Sequence, residues 1–102
     1  MREKDIERHL RLKVEKLGGL CYKWVSPSNA GVPDRIVMLP GGITAFVEGK
    51  SPVGVLSTQQ KVKINKMKEL GQKVYVLNSM NKIDELIELI QEEAVNGRIQ
   101  TP

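Results

Sequence analysis

Two strand-like runs, Arg35 to Leu39 and Ile43 to Lys50, are separated only by Pro40-Gly41-Gly42. No other feature restricts the fold of this chain as much. Parallel neighbours need a crossover of about a dozen residues or more, so so short a link leaves only an antiparallel hairpin. Proline and glycine are also the residues a tight turn favours. The hairpin has a further consequence. The residue that enters its first strand lies beside the residue that leaves its second. Counted outward from the turn, Asp34 falls near Glu48.

The rest of the chain arranges itself around this hairpin. Ile6, Leu10, Val14 and Leu17 recur at helical spacing, which predicts a helix from about Lys4 to Leu17 ended by Gly18-Gly19. Leu20 to Val25 is rich in sheet-forming residues and predicts a strand. Ser26 to Gly31 and Ser51 to Leu56 are loops by their turn residues. A second helix is expected from about Thr58 to Leu70, then a strand from Lys73 to Leu77. A last helix, about Lys82 to Glu93, carries Ile83, Leu86, Ile87 and Ile90 on one face. The strand–helix–strand segment from Ile43 to Leu77 predicts a right-handed crossover that sets its two strands parallel. The expected fold is α/β: a four-stranded mixed sheet flanked by helices. Residues 1–94 form one domain. Residues 95–102, with Asn96-Gly97 and a terminal Thr101-Pro102, are expected to fray.

Composition narrows the function classes. At 102 residues the chain fits one compact domain. No apolar run is long enough to cross a membrane. The charged start, Met1 to Asp5, has no apolar segment behind it, so no signal peptide is expected and the chain is placed in the cytoplasm. The lone Cys21 forms no internal disulfide and suits a reducing compartment. A net charge of +4 suits a polyanionic partner without demanding one. Aromatic residues are few (Tyr22, Trp24, Phe46, Tyr75), which disfavours a stacking platform for single strands.

The chemistry gathers at the open end of the hairpin. Glu48 and Lys50 stand two apart on a strand, so their side chains share a face. Asp34 joins them from the neighbouring strand. Magnesium is usually held by one or two carboxylates together with a substrate phosphate. A lysine beside it can orient water or offset developing charge. Glu-x-Lys on a strand is, by itself, more often a solvated ion pair. Here Val32-Pro33 precedes Asp34, and the proline stiffens the entry to its strand.

These residues carry a resemblance. The run Ser26-Pro27, Gly31-Val32-Pro33-Asp34-Arg35-Ile36-Val37, Pro40-Gly41-Gly42, Phe46-Val47-Glu48-Gly49-Lys50-Ser51-Pro52 and Leu56-Ser57-Thr58-Gln59-Gln60 closely resembles the VRR-NUC family of the PD-(D/E)xK nuclease superfamily. It covers roughly residues 3 to 90. The resemblance implies a restriction-endonuclease-like αβββαβ core and hydrolysis of DNA phosphodiester bonds with Mg2+ or Mn2+. Asp34 and Glu48 match the family's metal-binding acids, Lys50 its catalytic lysine and Gln60 its glutamine. The backbone carbonyl of Gly49 is a further candidate metal ligand. The acid on the first helix is Glu7 or Glu3. Stand-alone members look like Holliday-junction resolvases acting as homodimers, and they resemble phage and bacterial examples. One position departs from the family. Gly49 stands where a bulky apolar residue is usual, and it is expected to leave a gap in the packing behind the site.

Other residues have plainer readings. Ser57 and Gln60 form a capping box whether or not Gln60 serves the site. His9 is read as a surface residue and Cys21 as core. Lys61, Lys63, Lys66, Lys68 and Lys73 do not share one face; of the cations, Arg35, Lys23 and Lys61 are the ones expected to meet DNA phosphates. Two other functions stay open: a DNA-binding module of the same fold with weak cleavage, and a structural or interaction domain.

Overall fold

The computed structural model describes residues 2–100, with side chains through Glu92. The elements are α1 (Glu3–Lys16), β1 (Leu20–Lys23), β2 (Arg35–Leu39), β3 (Ile43–Gly49), α2 (Thr58–Glu69), β4 (Val74–Leu77) and α3 (Met80–Gln100). The four strands lie in the order β1-β2-β3-β4. The first two pairings are antiparallel and β3 runs parallel to β4, as a hairpin followed by a helical crossover requires. The restriction-endonuclease-like α/β reading therefore holds.

One face of the sheet carries the main core. Ile6, Leu10 and Val14 project from α1 and Ile83, Leu86, Ile87 and Ile90 from α3, all at helical spacing. They meet Val37, Ala45 and Val47, which alternate along β2 and β3. Cys21 is buried in the same cluster. The other face is thinner. There α2 buries Ile64, and Ile64 and Val74 lie outside the main cluster.

The helix ends follow local chemistry. Gly18 and Gly71 take positive φ just past α1 and α2 and let the next amide reach back to close the last turn. Some boundaries differ from the sequence reading. β1 stops at Lys23, although the Trp24 N–H still donates to the Asp34 carbonyl at 2.8 Å. α3 starts at Met80, because the Ser79 hydroxyl accepts the Lys82 N–H at 3.2 Å and caps it. It also continues to Gln100 rather than ending near Glu93. Thr101 and Pro102 of the predicted tail lie outside the described residues.

Candidate active site

The hairpin register brings the predicted residues together. Arg35 pairs with Val47, so the next pair outward is Asp34 and Glu48. The Asp34 carboxylate accepts the Gly49 N–H at 3.3 Å. Pro33, ahead of it, is fully buried and anchors the strand entry. Glu48 is only 3% exposed, the one buried charged residue among the described residues. Two groups address its Oε2: Lys50 Nζ at 3.7 Å and the donating Gln60 Nε2 at 3.3 Å. A solvated Glu-x-Lys pair is thereby ruled out, since a carboxylate this dry needs compensating partners.

Gln60 both caps α2 and reaches Glu48. Its Oε1 accepts the Ser57 N–H at 2.9 Å, while the Ser57 hydroxyl accepts the Gln60 N–H at 3.1 Å. The cap holds one end of the amide and frees the other for Glu48. A second constraint on α2 was not legible in the sequence. Gly31, at φ +92°, packs so closely on the first turn of α2 that an added Cβ would lie 2.5 Å from the Gln59 carbonyl oxygen. The loop leading to Asp34 and the helix bearing Gln60 are thus locked together. The only local signal was a glycine set before Val-Pro-Asp.

The tertiary structure separates the two candidate acids of α1. Glu3, Asp34 and Glu48 each offer one carboxylate oxygen, and the three lie within 4.8 Å of one another. Glu7 instead turns under β3, where its Oε2 accepts from Arg35 Nη2 at 2.7 Å. Its carboxyl also lies beside that of Asp34, where the two share a hydrogen bond when one of them holds a proton. Gly49 explains why it fits. A Cβ there would sit 3.2 Å from Glu7 Cγ. The expected gap behind Gly49 does not exist, because the stem of Glu7 lies against it.

The electrostatics match this crowding. Burial, the hydrogen bond with Glu7 and the charges of Glu48 and Glu7 push the Asp34 carboxyl up to about 7, against the Gly49 N–H, which lowers it. Burial also raises Glu48, opposed by Lys50 and reinforced by Glu3. Burial acts to raise Glu7 as well, but its hydrogen bonds with Asp34 and Arg35 prevail and its carboxyl is held low. A cluster of hard oxygen donors short of positive charge suits a hard divalent cation.

The remaining predicted residues divide. Lys23 and Lys61 are exposed. Arg35 is not a free cation: its side chain is 20% exposed, tied to Glu7, and its Nε is buried without a partner. His9 is half-buried rather than a surface residue, bridging α1 to α3 through Asp84 at 3.0 Å.

An αβββαβ core with Pro33-Asp34 and Glu48-Gly49-Lys50 meeting at the ends of the two central strands is that of a nuclease domain of the PD-(D/E)xK class. The chain belongs to the VRR-NUC family, whose domain matches residues 4–81. It is 44% identical over 81 residues to "Putative nuclease p44" of Acyrthosiphon pisum secondary endosymbiont phage 1, spanning 79% of this chain and 87% of that protein. A solved VRR-NUC domain superposes with a TM-score of 0.79 at 31% identity, covering 84% of this chain and 94% of the other. Family and relative together support a nuclease function. No helix among the described residues is long and apolar enough to cross a membrane.

Proposed function

We propose that this chain is an endodeoxyribonuclease dependent on Mg2+ or Mn2+, with Asp34, Glu48, Lys50 and Gln60 as its catalytic residues. The observation that carries the reading is the dry Glu48 carboxylate, gripped by Lys50 and Gln60 and crowded by two further acids. Structural ion pairs seldom gather three carboxylates around one point, because the charges repel.

Glu3, Asp34 and Glu48 are the residues that would hold the cation, with the Gly49 carbonyl as an added ligand. Bound there, such an ion stabilises charge on the scissile phosphate and acidifies the attacking water. The chain's own groups do the rest. Asp34 has to lose its proton to serve as a ligand, which links activity to pH. Gln60 holds Glu48 Oε2 and so fixes which oxygen faces the cluster. Lys50 presents an ammonium beside Glu48, where it orients water and offsets developing negative charge. Glu7 and Arg35 brace Asp34 from beneath rather than binding metal or DNA directly. Lys23 and Lys61 are left to meet phosphates.

The finer reading is a structure-selective enzyme of Holliday-junction-resolvase type. It would act as a homodimer, since two sites related by symmetry can address two strands of a branched substrate. The test is cleavage of a labelled four-way junction beside a linear duplex of the same sequence, with Mg2+, Mn2+ or EDTA and with Lys50→Ala in parallel. Metal-dependent cutting absent from the variant is expected. Cutting that survives in Lys50→Ala overturns the site. A light-scattering mass of one chain at micromolar concentration overturns the dimer.

A further inference from the structure

The loop that leaves the site strand has an unusual surface. Residues 51–60 carry no charged side chain, although Lys50 and Lys61 flank them and 27% of the chain is charged. Within this stretch Val53 is 91% and Val55 83% exposed, the two highest values among the exposed large hydrophobic residues. The tip is not slack. The Gly54 N–H donates to the Ser51 carbonyl at 2.9 Å and closes a turn. A Cβ on Gly54 would lie 3.2 Å from Ser51 Oγ and 3.4 Å from Lys50 Cβ, so the turn folds back onto the stem of the lysine. Pro52 stiffens its start, and valine side chains have few rotamers. Two isopropyl groups are therefore held out in water, on either side of a glycine that rests on Lys50.

We infer that Val53 and Val55 form an aliphatic wedge that contacts unstacked bases beside the scissile phosphate. An isopropyl group offers nothing to a phosphate oxygen. It fits the faces of bases and sugars, and apolar side chains are what DNA-bending proteins insert between base steps. Opening an intact step costs free energy, and the cost is least where pairing is already interrupted. The wedge thus favours DNA with a branch point or another unpaired step next to the cleaved bond. This inference rests on the nuclease reading and adds to it the residues that select the substrate.

The test uses the full chain and the variant Val53→Ser/Val55→Ser. Both side chains are exposed, so its melting temperature is expected to match the wild type. Two probes are read: cleavage of a four-way junction against a linear duplex, and fluorescence of 2-aminopurine at the branch point on binding in Ca2+. The variant is expected to cut the junction roughly tenfold more slowly, the effect of leaving about one aliphatic side chain unburied, and to cut the duplex at the wild-type rate. The wild type is expected to raise 2-aminopurine fluorescence and the variant to leave it unchanged. If wild type and variant share one junction-to-duplex ratio and one fluorescence response, the wedge is overturned and the nuclease reading stands. If the wild type cuts nothing but raises fluorescence in a valine-dependent way, the nuclease reading fails and the wedge stands. If it neither cuts nor raises fluorescence, both fail. A variant that halves the mass in solution assigns the valines to a second copy of the chain and overturns the wedge.

Discussion

On one face of the sheet, α1 and α3 bury a continuous aliphatic layer that includes Ile6, Leu10, Ile83 and Ile90, each no more than 2% exposed. On the other, α2 buries Ile64 and is otherwise held at its first turn by Ser57, Gln60 and the backbone of Gly31. The first face gains its stability from area removed from water, which is tolerant of detail. The second is placed by a few directional contacts, and those same contacts set the groups around Glu48. Most of the apolar burial thus lies on the first side, whereas the acidic cluster draws on both, with Glu3 reaching it from α1 and Gln60 from α2.

The largest effect should come from the deep face. Leu10→Ala is expected to cost about 2–5 kcal/mol in urea unfolding, from lost transfer and a residual cavity. Ile64→Ala should cost clearly less, and equal losses would erase the contrast between the faces. Next come the site residues. Lys50→Ala and Glu48→Gln should each lower the cleavage rate by roughly 10²–10³-fold, the size found when one charge-stabilising group is removed. Glu48→Gln should melt no lower than the wild type, since it removes a charge from a crowded acidic cluster, whereas Lys50→Ala should melt lower, since it leaves the buried Glu48 carboxylate without its cation. Gly31→Ala would sharpen the comparison further. It forces alanine into positive φ and presses a methyl on the backbone of Gln59. Displacing Gln60 in this way should slow cleavage by up to roughly 10²-fold, with the far-ultraviolet spectrum unchanged. An unaffected rate would mean that α2 is positioned by something other than this contact.

A smaller effect is expected from pH. The Asp34 carboxyl, at about 7, is raised above its ordinary 3.8, so the folded chain holds this proton more tightly than the unfolded one. Its contribution to stability is fully present below about pH 4 and is lost as pH rises through about 7. A divalent cation reverses the preference by favouring the ionised form. Melting curves should therefore show a greater rise with Mn2+ at about pH 8 than at about pH 6, and Asp34→Asn should remove the difference. A metal shift independent of pH in the wild type would contradict the role given to Asp34. The smallest effect should be that of Gly49→Ala. Its Cβ would meet Glu7 Cγ at 3.2 Å, so the stem of Glu7 must give by a few tenths of an ångström while Arg35 keeps its carboxylate. The gain from a stiffer unfolded chain, itself below about 1 kcal/mol, should nearly cancel that strain.

Much of this protein follows from its sequence alone. A three-residue link made β2 and β3 a hairpin, and outward counting then set Asp34 opposite Glu48. Periodicity marked α1 and α3, and the capping box marked the start of α2. Those features are local: each depends on backbone geometry over a few residues, so neighbouring letters are enough to read them. Only the tertiary structure decided that Glu3 joins Asp34 and Glu48 while Glu7 turns to Arg35, since both acids lie on one side of the same helix. It also decided that Gly49 leaves no gap and that Gly31 locks the loop to α2. These outcomes depend on close approach between segments far apart in the chain, where a few tenths of an ångström determine which side chain fits, and spacing along a sequence carries no measure of that distance.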